Sequence, residues 1–143
     1  MEYAMANHGK SGKILVIPCS GIGKVQGLIS REAVYRVVDA LTPDRAETVC
    51  LALLVTGDPE TIKKVRPSPC ITIDGCPKLC AYKNVEMSGG KVFHAVHVFE
   101  TLKRHRGKPF GSPTALSEDG WAAVNEIAAD VAESVRQMTI EHR

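Results

Sequence analysis

A β-branched run that stops at a pair of cysteines constrains this chain more than any other feature. Cys70-Ile71-Thr72-Ile73 reads as a strand buried in a sheet, and Asp74-Gly75 breaks it. Cys76-Pro77 then reads as a helix start, because proline is tolerated in the first turn, where its missing N–H goes unnoticed. Cys80 follows four residues after Cys76, about one helical turn on, so both sulfurs are expected on one face. Thiols at a helix N-terminus sit where the dipole and the free N–H groups favour thiolate. Thiolate is the form that binds metal or attacks an electrophile.

The rest of the chain alternates strand and helix. Residues 1–12 read as a flexible leader, and 13–143 as a single domain. Lys13 to Pro18 is continuously apolar after its lysine, as expected of a strand covered on both faces in a parallel sheet. A glycine-containing turn from Cys19 to Gly23 leads to a helix over about Val25–Leu41, with Ile29, Ala33, Val37 and Leu41 on one stripe. Thr42-Pro43 stops it. Ala46–Leu51 is a second strand candidate, and the pattern alone leaves open whether Leu51–Thr56 continues it. Asp58-Pro59 reads as an N-cap and first turn of a short helix to Lys64.

Cys70–Asp74 is the third strand and Lys91–Val98 the fourth. In the last helix Ser117 is the expected N-cap, and Trp121, Val124, Ala128, Val131, Val135 and Met138 form its apolar face. The alternation predicts a three-layer, Rossmann-like α/β fold: a mostly parallel sheet of about four strands with helices on both faces.

In such a fold the cysteine spacing acquires meaning. Cys19 closes strand one, Cys50 lies at or near the end of strand two, and Cys76 closes strand three. Separations of 31 and 26 residues are each close to one βα unit, which takes roughly 30 residues. Each unit returns the chain to the same edge of the sheet, where open α/β folds bind ligands. With Cys80, four sulfurs are expected at the strand C-terminal edge, the ligand set of tetrahedral zinc or of an iron–sulfur cluster. Cys70 should stand apart, since six extended residues carry it roughly 20 Å from Cys76.

Composition excludes several classes. Hydrophobic residues make up 44% and charged residues 24% of 143, ordinary for a folded domain, and a net charge of +2 is too mild to imply nucleic acid. The polar N-terminus is not expected to be a signal peptide, and no apolar run reaches a membrane span. The expected setting is the cytoplasm, where five cysteines would remain reduced and a cluster of them points to metal or reactive thiols. A metal ion is the one partner indicated; the sequence names no protein partner.

Cys19-Ser20-Gly21, Cys50-Leu51 and above all Ile73-Asp74-Gly75-Cys76-Pro77-Lys78-Leu79-Cys80-Ala81 resemble the DGC domain family, named for its Asp-Gly-Cys motif. The resemblance runs from about Ile14 to Val98. It implies zinc bound by four cysteines that match Cys19, Cys50, Cys76 and Cys80 by position, and it attaches no reaction to them.

Other motifs carry less. Gly-Lys-Ser at 9–11 lacks the first glycine and the preceding strand of a phosphate-binding loop. Gly21, Gly23 and Gly27 are one residue off the dinucleotide fingerprint and read as the means to a tight turn beside Cys19. His97, near the end of strand four, could reach the cysteine edge, whereas His94 faces the other side of the sheet. Asp74 is expected to brace the Gly75-Cys76 turn. Lys24, Lys78 and Lys83 could offset the formal −2 of four thiolates around a divalent ion. The basic stretch Lys103-Arg104-His105-Arg106-Gly107-Lys108 reads as solvated surface.

The leading function from sequence is zinc binding, structural or in metal sensing and handling. The alternatives are a thiol redox or sulfur-transfer enzyme with Cys76 attacking and Cys80 resolving, and an iron–sulfur electron-transfer protein.

Overall fold

The computed structural model describes residues 12–19 and 21–141. The leader read over 1–12 and the Gly-Lys-Ser stretch therefore lie outside the described residues, Gly12 apart.

Four strands make the sheet: β1 (Ile14–Pro18), β2 (Ala46–Glu47), β3 (Pro69–Asp74) and β4 (Lys91–His97). Their order is β2-β1-β3-β4, and every pair is parallel. The unbroken apolar run of β1 is explained by its two covers. Ile14 and Val16 point into one layer with α1 (Val25–Arg36) and α6 (Glu118–Glu141). Leu15 and Ile17 point into the other, with α2 (Leu51–Val55), α3 (Pro59–Val65) and α4 (Cys80–Met87). This is the expected three-layer α/β arrangement. No helix among the described residues is long and apolar enough to cross a membrane.

Several boundaries differ from the sequence expectation, each for a local reason. The first helix ends at Arg36 and continues to Leu41 as a π-helical turn, in which the Val37 carbonyl accepts both the Thr42 N–H at 2.8 Å and the Thr42 hydroxyl at 3.1 Å. The second strand is only Ala46–Glu47, and Leu51–Val55 is helical. Leu51 and Leu54, three apart, share one face of that helix and are both buried against Leu15 and Ile17; a strand would have turned them to opposite faces.

Asp58 caps α3 as expected, its Oδ2 accepting the Thr61 N–H at 3.0 Å and hydroxyl at 2.7 Å, with Pro59 in the first turn. Ser117 caps α6 by accepting the Gly120 N–H at 3.2 Å. Trp121 departs from the apolar face assigned to it and is 40% exposed. In that first turn Gly120 faces inward instead, so close to the preceding chain that a Cβ would fall 2.2 Å from the Phe110 oxygen. A short hairpin, β5 (Gly111–Ser112) with β6 (Ala115–Leu116), and α5 (Val98–Lys103) complete the fold.

Candidate functional site

The chain runs from β1 to β2 on one side and then crosses to β3 on the other, so strand order reverses between β1 and β3. Their following helices leave to opposite faces, α1 into the α6 layer and α4 into the other. A crevice at the C-terminal ends of β1 and β3 is the result.

Cys19 stands at its floor, 7% exposed. Its N–H donates to the Ile73 carbonyl at 2.9 Å, which extends the β1–β3 ladder by one residue. Its sulfur accepts the Gly75 N–H at 3.1 Å and lies 3.4 Å from the Ser30 hydroxyl, which also donates to the Gly27 carbonyl at 2.8 Å. Burial pushes the Cys19 thiol up from its ordinary value; Ser30 and the Gly75 N–H oppose that rise, while the nearby charges of Asp74 and Cys76 add to it.

Glycines make this packing sterically feasible. Gly21 has φ +26°, and a Cβ on Gly27 would fall 2.0 Å from the Gly21 oxygen, so α1 rests backbone to backbone on the loop after β1. A Cβ on Gly75 would come within 3.0 Å of Gln26. Ser30 escapes sequence reasoning as a site residue, and the sequence reading of Gly27 goes no further than the tight turn beside Cys19. The only signal for Ser30 was a glycine one turn before its hydroxyl, on a stripe of otherwise apolar positions.

Asp74 corrects two expectations. It is 1% exposed, and its carboxylate accepts the Ala81 N–H at 2.7 Å and the Tyr82 N–H at 3.0 Å. It thus caps α4 from outside the helix instead of bracing the Gly75-Cys76 turn. Burial pushes its carboxyl up, against the pull of those two N–H groups and of His97 opposite it on β4. Because the cap engages Ala81 and Tyr82, α4 starts at Cys80, not at Cys76-Pro77. Residues 76–79 form a turn closed by Leu79 N–H to Cys76 carbonyl at 3.2 Å, with Leu79 left-handed at φ 56°. Cys76 and Cys80 therefore do not share a helix face.

The structure brings Cys19 and a half-buried Cys76 together at the crevice. Cys50, directly before α2, and Cys80, first residue of α4, stand exposed at the rim of the same sheet edge. Among the described residues, no three His, Cys, Asp or Glu side chains are grouped to hold a metal ion. The chemistry of the donors suits zinc, but a complete set requires the rim thiols to move inward. Cys70 lies at the far end of β3, fully buried against Val65 and Leu15, its thiol pushed up to about 12 by burial.

His97 ends β4 opposite Asp74 and stacks on Phe99, ring centroids 5.3 Å apart. His94 lies on the other face, 3.3 Å from Asp130 of α6. Lys24, Lys78 and Lys83 are exposed.

In the basic stretch, Arg104 and His105 both pair with Glu126 of α6, His105 at 2.9 Å. The Arg104 hydrogen bond, then that of His105, holds the Glu126 carboxyl below its ordinary value of 4.5. A depressed carboxyl contributes stability above that ordinary value and loses it as pH falls through the folded one. Glu126→Gln should cost at most about 1 kcal/mol at neutral pH, because the group is exposed and screened. Urea titration at neutral and acidic pH should show that small difference vanish in acid.

A family model described as the DGC domain matches residues 15–116. No curated protein and no solved structure matches the chain.

Proposed function

The chain belongs to the DGC domain family, and on that premise we propose that it binds zinc through Cys19, Cys50, Cys76 and Cys80. The observation that carries this reading is the Cys19 sulfur, buried at the crevice floor, taking the Gly75 N–H at 3.1 Å beside Cys76. An amide N–H aimed at sulfur favours the thiolate, while burial opposes a lone negative charge. A divalent cation resolves that conflict by holding the thiolate ionised, and zinc is the borderline-soft ion that prefers such ligands. Lys24, Lys78 and Lys83, exposed in the surrounding loops and in α4, offset part of the remaining charge. Such a site belongs in a reducing compartment, the cytoplasm.

The rival redox pair of Cys76 with Cys80 has less support. Its argument relied on Cys76 opening a helix, and Cys76 lies before α4.

Elemental analysis of protein purified without added metal tests the reading. About one zinc per chain is expected, absent from Cys76→Ser and retained in Cys70→Ser, because Cys70 faces the opposite end of the strand. Iron with visible sulfur-to-iron absorption would replace zinc by a cluster. Metal-free protein with a uniquely fast-alkylating Cys76 would sink the metal reading altogether.

A further inference from the structure

The basic stretch after α5 folds back over the start of α6 and is fastened there twice. At its end the Pro109 carbonyl accepts the Ser117 hydroxyl, and the Phe110 carbonyl accepts the Ser117 N–H at 3.0 Å. At its start His105 meets Glu126 at 2.9 Å, and the Lys108 N–H donates to the His105 carbonyl at 3.2 Å. Between these fastenings the loop and α6 border a cavity of about 110 Å³. Phe110, packed against the core, lines it together with Ala122 and Ala123 of α6. Its remaining lining is ionisable: His105 and Lys108 from the loop, Asp119 and Glu126 from α6.

These charges are not all engaged. Arg104 and His105 both pair with Glu126. Lys108 and Asp119 line the same cavity, yet neither side chain makes an ion pair or a hydrogen bond among the described residues. His105, Asp119 and Glu126 are not grouped as a metal ion would need, which directs the reading to an organic ligand. One positive and one negative side chain, on different elements and beside an apolar wall, suit a ligand that carries both charges. A volume of about 110 Å³ is that of roughly four waters, room for roughly six non-hydrogen atoms.

We propose that this cavity binds a small zwitterion, an α-amino acid with a short side chain. Lys108 takes its carboxylate, Asp119 its ammonium, and Phe110, Ala122 and Ala123 its side chain. The hydrogen bonds that fasten the loop to α6 hold these walls before the ligand arrives, so little ordering is left for binding to offset. The site shares no residue with the cysteine crevice, and its α6 wall lies beyond the family match, which ends at residue 116.

The test titrates L-alanine into the isotope-labelled full chain and follows the amide signals by NMR. Saturable shifts are expected at Phe110, Ala122 and Ala123. Acetate and methylammonium, each carrying one of the two charges, should bind about tenfold more weakly or worse, the effect of losing one charged hydrogen bond. Lys108→Gln and Asp119→Asn should each weaken L-alanine by a similar factor. Lys103→Gln, which changes a lysine outside the cavity lining, should leave its binding unaltered. Shifts that grow without saturating overturn the site, as does equal binding of L-alanine and either singly charged ligand. Unchanged binding of L-alanine by both cavity variants places the ligand elsewhere and overturns it too. The comparison of the three ligands uses the wild-type chain alone, so it decides even where a variant fails to fold.

Discussion

Gly27→Ala is expected to destabilise the protein by about 3 kcal/mol or more, at the upper end of what overpacking costs. The added Cβ would lie 2.0 Å from the Gly21 oxygen, 2.5 Å from its carbonyl carbon and 2.6 Å from its Cα. All three are backbone atoms, so no side chain can rotate away. The loop cannot retreat either, since Gly21 is itself in a left-handed conformation, next to Cys19. Alanine's better helix propensity returns at most about 1 kcal/mol, too little to compensate.

For a chain of this length the loss corresponds to a fall of roughly 10 °C in Tm. Gly23→Ala is the control, because a Cβ there meets nothing within 4 Å. Urea unfolding of the two variants measures the difference. Equal stabilities would mean that α1 does not rest on the loop, and the account of how Cys19 is held would fail with it.

Asp74→Ala should cost about 2–3 kcal/mol, the range for losing a charged partner of buried donors. The Ala81 and Tyr82 N–H groups would lose their acceptor at 2.7 and 3.0 Å. Leu79, at the position before α4, offers no side-chain replacement. The raised carboxyl of Asp74 moderates the loss, since burying the charge already offsets part of the benefit of the two bonds. Asp74→Asn should fall between, its oxygen accepting one N–H while its amide group confronts the other. Thermal unfolding, with amide exchange at Ala81 and Tyr82, would register both effects. Unchanged exchange at those two amides in Asp74→Ala would show that the carboxylate is not the cap of α4.

Much of this architecture was legible in the residues because it depends on local pattern. The apolar run Ile14–Ile17 announces a strand covered on both faces, and the β-branched run Cys70–Ile73 announces another. Ser117 and Asp58 mark helix starts because their side chains serve N–H groups only three residues away. The DGC motif and the spacing of Cys19, Cys50 and Cys76 by βα units suffice to bring all three to one sheet edge, whatever the strand order. The same arithmetic sends Cys70 to the other edge.

What only the tertiary structure decided involves partners distant in sequence. The order β2-β1-β3-β4 makes β1 and β3 neighbours, and so joins Cys19 to Gly75 across 56 residues while leaving Cys50 at the rim. Asp74 became a helix cap because the fold of residues 75–79 delivers Ala81 and Tyr82 to its carboxylate, a contact no short-range turn rule contains. Trp121 lies outside the core, 40% exposed, while its neighbour Gly120 packs against the Phe110 carbonyl. Periodicity tells which side of an element is apolar; which residues meet there depends on the packing of elements that the chain brings together from far apart.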